Sequence, residues 1–163
     1  TTGLRFFTVY GPWGRPDMAL FLFTKAMLEN NKINVFNHGK MIRDFTYVFD
    51  IVKSIELLID NPPLSSKEWS SSNPDPSFSS APYSIMNIGN SSPTNLLDFI
   101  IELEKKLEIK AKINYMDIQP GDVPMTFADN NKLFETINYK PKISIKEGIS
   151  NFVDWYKKYY LKL

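Results

Sequence analysis

Residues 4–21 read LRFFTVYGPWGRPDMALF, and this stretch decides the fold. Leu4 to Tyr10 are almost all apolar, aromatic or β-branched, the composition of a buried strand. Gly11-Pro12-Trp13-Gly14 stops that strand in a turn. Asp17 is placed to cap a helix reaching about Asn30, in which Met18, Phe21, Leu22, Lys25, Met27 and Leu28 give an apolar face at roughly helical spacing. A strand end beside a helix start is a natural anion site, because free amides and the helix dipole point at a ligand there. Arg15, inside the turn, adds a fork suited to a carboxylate or phosphate. The plain alternative is an ordinary turn with a surface arginine.

Downstream, strands and helices alternate. Ile33 to Phe36 forms a short strand, Asn37-His38-Gly39-Lys40 a turn, and Ile42 to Val48 a second strand. A helix from about Asp50 to Asp60 faces Ile51, Ile55, Leu58 and Ile59 inward, and Pro62-Pro63 ends it. Residues 64–82 are rich in Ser and Pro and read as a long mobile loop. Tyr83 to Ile88 is a strand. Ser92-Pro93 open a helix to about Leu107, Lys112 to Met116 is a strand, and Gln119-Pro120-Gly121-Asp122 is a turn. Asp129 caps a short helix through Thr136, and Ser144 with Glu147 has the spacing of a capping box for a last helix to about Tyr160. The order predicts an α/β or α+β chain of small sheets under helices, without internal repeats.

The 163 residues suit one domain, with twelve Phe and eight Tyr available for its core. Lys and Arg number 19 against 18 Asp and Glu, a net charge of +1. That balance argues against a nucleic-acid or membrane-surface binder, which needs a basic excess. The absence of cysteine excludes thiol catalysis and Cys-bound zinc, and one His offers little toward a His site. No apolar run approaches a bilayer span, and a cytoplasmic protein is the simplest expectation. The first strand begins almost at Thr1, with nothing before it to pair its edges. It reads either as a piece of a longer chain or as a small domain with an N-terminal strand.

Two further clusters carry chemistry. Arg43 opens an apolar strand with Phe45, Tyr47 and Phe49 nearby, so it needs a partner; Asp44 points to the opposite face and is a poor one. Arg43 is either half of a salt bridge to another element or a phosphate clamp. Asp122, in the Gly121-Asp122 turn, is either simply a turn residue or a carboxylate fixed to accept hydrogen bonds from a ribose diol. Gly11-x-x-Gly14 is rejected as a dinucleotide loop, because its third position is Asp17, whose carboxylate would repel phosphate. No Tyr is followed four residues on by Lys, so the proton-relay pair expected of a hydride-transfer enzyme is absent from these residues. His38 reads as a solvated turn residue, and Lys105-Lys106 and Lys157-Lys158 as solvated helix faces.

LRFFTVYGPWGRPDMALF, RDFTYV, YSIMNIGNSSP, QPGDV and KEGISNFVDWYKKYY, in this order, resemble the nucleotide-sugar epimerases and dehydratases of the extended short-chain dehydrogenase/reductase family. The GPWGRPDMA string is most similar to UDP-glucuronate 4-epimerases. The resemblance implies the C-terminal, substrate-binding part of a Rossmann-type α/β fold over residues 1–163, with a last Rossmann strand near 4–10. It implies Phe7 near the nicotinamide of NAD, Thr8 against the hexose, and Arg15 near the sugar carboxylate. Met18 would offer its amide to the diphosphate, Val35 and Phe36 would line the uracil pocket, Arg43 would bind the diphosphate and Asp122 the uridine ribose. Gln119 stands where many relatives have Arg for phosphate, which leaves the grip more dependent on Arg43. The implied reaction is C4 epimerisation of UDP-glucuronate to UDP-galacturonate. NAD, the catalytic Tyr and Lys and the usual dimer helices would be supplied upstream, so this chain is expected to bind a UDP-sugar and to be inactive alone. A homodimer remains open for the intact enzyme. The alternatives are a dehydratase or decarboxylase of the same family, or a non-catalytic interaction module.

Overall fold

The computed structural model describes residues 1–162. Eight short strands and five helices follow one another: β1 (Thr2–Phe6), β2 (Thr8–Tyr10), α1 (Ala19–Leu28), β3 (Lys32–Val35), β4 (Ile42–Arg43), β5 (Phe45–Tyr47), α2 (Val48–Ile59), β6 (Ser84–Ile88), β7 (Thr94–Asn95), α3 (Leu96–Leu107), β8 (Lys112–Tyr115), α4 (Asn131–Ile137) and α5 (Ile145–Tyr156). The strands pair two by two. Three pairs are parallel, β1 with β6, β2 with β5, and β3 with β8, while β4 and β7 are antiparallel.

The strand expected over residues 4–10 is two strands, because its partner changes midway. Phe6 lies opposite Ile88 in β6, whereas Thr8 lies opposite Phe45 in β5. The amide of Phe7 still donates to the Ile88 carbonyl at 3.2 Å, and the next amide, of Thr8, donates to the Asp44 carbonyl at 3.2 Å. The strand expected over 42–48 divides at Asp44 for the same reason: Ile42 and Arg43 pair with β7, and residues 45–47 pair with β2.

Side chains alternate across β2. Tyr10 joins a core of α1, α3 and α5 with Phe45, Tyr47, Phe99 and Phe152, while Val9 packs against a second core of Ile51, Leu58, Met86, Ile88 and Leu133. Helices thus pack on both faces of β2.

Local details depart from expectation where tertiary contacts compete. Asp17 does not cap α1; Met18 holds the N-cap position without a side-chain bond, and the Asp17 carboxylate turns to Arg15. Ser92-Pro93 do not open α3, because Thr94 and Asn95 first pair with β4. Ile59 is exposed, lying about 80° round the helix from Ile51. Residues 64–82 are cross-tied: Ser66 N–H bonds the Ser79 carbonyl, Ile85 N–H the Ser77 carbonyl, and Lys132 Nζ reaches the same Ser77 carbonyl at 2.8 Å. At α5 the Ser144 hydroxyl does accept the Glu147 amide, at 3.2 Å.

Two buried carboxylates act as pins. Asp50 accepts Tyr139 Oη at 2.6 Å and the amides of Lys142 and Ile143 at 3.1 Å, tying α2 to the segment before α5. Burial, with the Asp50 carboxylate beside it, pushes the Tyr139 phenol up from its ordinary value. Asp44, fully buried, accepts three amides: Asn90 at 2.9 Å, Ser91 at 3.0 Å and Ala128 at 2.9 Å.

α5 approaches β2 through Gly148. A Cβ at that position would stand 2.7 Å from Cζ and 2.8 Å from Cε2 of Tyr10, whose ring is wedged edge-on against Phe45, Tyr47 and Phe99. Alanine favours a helix over glycine by about 1 kcal/mol, but overpacking a rigid core costs about 1–3 kcal/mol. Gly148→Ala is therefore expected to destabilise the protein, lowering the thermal midpoint by a few degrees at about 2–4 °C per kcal/mol. Calorimetry or thermal circular dichroism reads the sign, and a rise would show that Tyr10 can yield.

Candidate functional site

Helix α1 and strands β3 and β4 enclose an open cleft of about 530 Å³. Leu22, Phe23 and Ala26 of α1 form one wall; Ile33 and Asn34 of β3, with Phe36 and Met41, form the other. Arg43 and Asp122 both line it. They are 79 residues apart in sequence, and Arg43 Nη2 donates to Asp122 Oδ1 at 2.8 Å. The cation is well covered, with 15% of its side chain exposed against 36% for Asp122.

This meeting is built by backbone. Ile42 N–H donates to the Pro124 carbonyl at 2.9 Å, and Thr126 N–H donates to the Ile42 carbonyl at 3.1 Å, strapping residues 124–126 to β4. The turn before them closes by Asp122 N–H on the Gln119 carbonyl at 3.1 Å, with Gly121 at φ 83°, a conformation glycine adopts freely. Asp122 Oδ1 also accepts its neighbour's amide, Val123, at 2.9 Å. Arg43 Nη1 donates to the Ile42 carbonyl at 3.0 Å. Of five guanidinium N–H donors, these two bonds leave three for a ligand.

Thr8, Arg15 and Met18 line a smaller hollow of about 40 Å³ at the end of β2, next to the cleft; Ala19 lines both. The Met18 amide, expected to face a diphosphate, instead donates to the Arg15 carbonyl at 3.2 Å, because the turn closes on itself. Arg15 forks onto Asp17, Nε to Oδ1 at 3.1 Å and Nη2 to Oδ2 at 2.5 Å. The hydrogen bond from Arg15 holds the Asp17 carboxyl below its ordinary range. Asp17 lines the cleft, so this pair sits where hollow and cleft meet. Trp13, two residues before Arg15, has φ 62°, a left-handed backbone that costs a non-glycine residue about 1–2 kcal/mol. Its ring meets Trp155 at 5.3 Å and Tyr159 at 4.7 Å, contacts of about 0.5–1.5 kcal/mol each, enough to offset that strain.

Phe7 and Thr8 face a third, open hollow of about 570 Å³ with Asn87 and Thr126, where the chain passes from β1 to β2. Thr8 thus stands between the face of Phe7 and the hollow of Arg15.

Two expected residues stand outside these hollows. Val35 is fully buried in the core, so its side chain does not line the cleft, and its carbonyl is taken by the Met116 amide at 3.0 Å. Gln119 is exposed, and what it contributes is the carbonyl that closes the Asp122 turn. Conversely, Lys32 and Asn34 line the cleft unanticipated. The signal was present in KINV, where Ile33 and Val35 turn inward and Lys32 and Asn34 outward. Asn114 Nδ2 donates to Asn34 Oδ1 at 2.9 Å across the β3–β8 pair. His38 sits in a run of three positive φ values, Asn37 49°, His38 48° and Gly39 79°, and bonds Asp117, in the loop after β8, at 2.8 Å.

Among the described residues there is no cluster of His, Asp or Glu placed to hold a metal ion, and no helix long and apolar enough to cross a membrane.

Residues 1–69 match the NAD dependent epimerase/dehydratase family. The chain is 57% identical over 162 residues to Protein CapI of Staphylococcus aureus, covering 99% of this chain and 48% of that protein. It is 42% identical over 161 residues to the probable UDP-glucuronate 4-epimerase of Rhizobium meliloti, covering 98% and 47%. Among solved structures, the UDP-glucuronic acid 4-epimerase from Bacillus cereus in complex with UDP-glucuronic acid and NAD superposes with a TM-score of 0.78 at 32% identity, over 95% of this chain and 44% of that one. The α/β fold is therefore that of the corresponding part of extended short-chain dehydrogenase/reductase enzymes. The chain spans about half the length of the curated relatives it matches.

Asp44 is the scaffold beneath both Arg43 and Thr8. In Asp44→Asn an amide nitrogen replaces one oxygen, facing amides that also donate. Hydrogen bonds to a charged group contribute about 1.5–3 kcal/mol each, so a loss of about 3 kcal/mol and a fall of about 6–12 °C in thermal midpoint are expected. Urea unfolding checks the figure; an unchanged midpoint would mean that the three amides find water instead.

Proposed function

We propose that this chain, related along nearly its whole length to the UDP-glucuronate 4-epimerases, forms the UDP-sugar-binding part of an NAD-dependent nucleotide-sugar 4-epimerase. The observation that carries it is the meeting of Arg43 and Asp122 in the lining of a largely apolar cleft, next to a hollow lined by a second arginine at a strand end. A uridine diphosphate needs an apolar slot for its base, an acceptor for its ribose hydroxyls and a cation for its phosphates. The cleft walls of Phe23, Ile33 and Phe36, the Asp122 carboxylate and the free N–H groups of Arg43 supply those in one place. Residues 1–163 act in this reading as one binding unit, with the strand near 4–10 shared with the cofactor side.

Phe7, Thr8 and Arg15 then divide the sugar end. Thr8 offers a hydroxyl between the two hollows, and Arg15 offers its guanidinium to a sugar carboxylate. That carboxylate distinguishes the uronate from neutral hexoses. The family chemistry requires a firm hold on the diphosphate while the sugar turns to present its other face. A covered Arg43 and an exposed, loop-borne Arg15 suit that division.

The residues here fit only the nicotinamide end of NAD. Phe7 faces an open hollow, while Gly11-x-x-Gly14 is closed by the Gly14 amide on the Gly11 carbonyl at 3.2 Å and leads to Asp17. NAD, when bound, would reversibly remove hydride from C4 of the sugar. Its pyrophosphate, the Tyr-x-x-x-Lys pair and any homodimer contact would belong to the rest of the intact enzyme, and the 163 residues by themselves are expected to lack turnover. A dehydratase on the same scaffold remains the second reading, favoured by the breadth of the family matched over residues 1–69.

Titration of the chain with UDP, followed by calorimetry, tests the binding part. Arg43→Ala removes a charge-assisted contact of about 1.5–3 kcal/mol and should weaken UDP about 10- to 100-fold. Uptake that ignores Arg43, or no uptake by the wild-type chain, would contradict the proposal. Conversion of UDP-glucuronate by these residues alone would contradict the predicted lack of turnover.

A further inference from the structure

The loop carrying Arg15 is tied to the body of the protein by aromatic rings. From Gly11 to Met18 its own hydrogen bonds are local, Gly14 N–H to the Gly11 carbonyl and Met18 N–H to the Arg15 carbonyl, both at 3.2 Å. Local turns fix the shape of a loop without fixing where it stands. Trp13 supplies the attachment. Its side chain is not a core residue, for it is 71% exposed, yet it is held edge-on by two rings at once.

Those rings form a shelf. Trp155 and Tyr159 stack nearly parallel, centroids 5.7 Å apart and planes 9° from each other. α5 runs on from Tyr156 into a wider turn over Lys157–Leu161, closed by Lys162 N–H on the Lys157 carbonyl, five residues back. Trp155 and Tyr159, four residues apart, meet on one side of it. The shelf is firm at its root, because Phe152, Val153 and Tyr156 of α5 are buried and the Phe152 ring lies 5.5 Å from Trp155. At the other end, Asp17 holds the Arg15 guanidinium by two bonds, so its angle is set as well. Loop position and guanidinium angle are thus fixed by separate devices.

From this we infer that Trp13, clamped by Trp155 and Tyr159, is a positioning residue that sets Arg15 and so confers selectivity for an acidic sugar nucleotide over a neutral one. The inference rests on the UDP-sugar reading above and names a determinant within it. Without the ring, residue 13 relaxes from its left-handed φ of 62° toward the negative φ that other residues prefer, and Arg15, two residues on, moves with it. Arg43 lies in the cleft and is outside the clamp, so the diphosphate grip should not change.

The test uses the full 163-residue chain with Trp13→Ala, Trp13→Gly and Trp13→Phe. Glycine tolerates the left-handed backbone but has no ring, so it separates conformation from stacking. Hydrogen exchange at the Gly14 and Met18 amides should quicken about tenfold or more in the Ala and Gly variants and much less in Phe, with α3 amides unchanged. In parallel, the ratio of affinities for UDP-glucuronate and UDP-glucose should fall about tenfold in Ala and Gly, while affinity for UDP stays constant. Trp13→Phe should restore most of that ratio. A Trp13→Gly chain with wild-type exchange and wild-type ratio would overturn the clamp, as would equal losses for both sugars. Failure of the wild-type chain to take up UDP would sink the nucleotide-sugar reading, and the exchange measurement would still decide whether the clamp exists.

Discussion

A single buried carboxylate organises this protein. Asp44 has no exposed surface, and its oxygens receive the amides of Asn90, Ser91 and Ala128, drawn from two segments distant from it in sequence. The strands part at this point: β1 leaves β6, β2 joins β5, and the space between would otherwise hold unpaired backbone. Unpaired amides in a dry interior are costly, so the gap has to be filled by an acceptor rather than by packing alone. An ionised carboxylate can accept several donors at once. Its backbone carbonyl takes the Thr8 amide as well.

The site inherits its geometry from that junction. Arg43 precedes Asp44 and Thr8 is bonded to it, so the cleft and the hollow beside it are held at a fixed separation. Arg43 is largely covered and shares its carboxylate partner with a turn amide; Arg15 is open to solvent on a loop. A covered cation with a built-in partner suits a group that stays put. An exposed one on a loop suits a group that must be released. The backbone is unusual at both places, left-handed at Trp13 and across Asn37 to Gly39, and neighbouring rings or loops hold each in that state.

Much of this was legible before coordinates. The order of strands and helices, Phe21 and Met27 on the buried face of α1, Ile51 and Leu58 on that of α2, the Ser144 cap and the placement of Arg15 at a strand end followed from periodicity and turn chemistry, whereas Met18 and Leu22, expected on the same face of α1, are exposed. The convergence of Arg43 with Asp122 was open from residue spacing alone, and the resemblance favoured it. Other features were not legible. Leu4 to Tyr10 has no break in composition at Phe7, and an apolar run looks the same whether it keeps one partner or changes to another. The composition of the Ser/Pro-rich stretch over 64–82 held no sign that its Ser77 carbonyl is bonded by Ile85 and Lys132 outside it. Val35 was assigned to the ligand and belongs to the core, because alternation along β3 turns its side chain inward.

By itself the sequence determined which segments are extended or helical, part of the face each helix buries, and which charged residues sit in turns. These are properties of neighbours along the chain, set by local sterics and by the period of the apolar pattern. The tertiary structure alone decided which strand pairs with which, that Asp44 receives amides from afar, that Asp17 turns to Arg15 rather than capping α1, and that Trp13 meets Trp155 and Tyr159. Each of those is a contact between residues whose separation along the chain carries no information about their separation in space, or a competition between two local partners that only packing resolves.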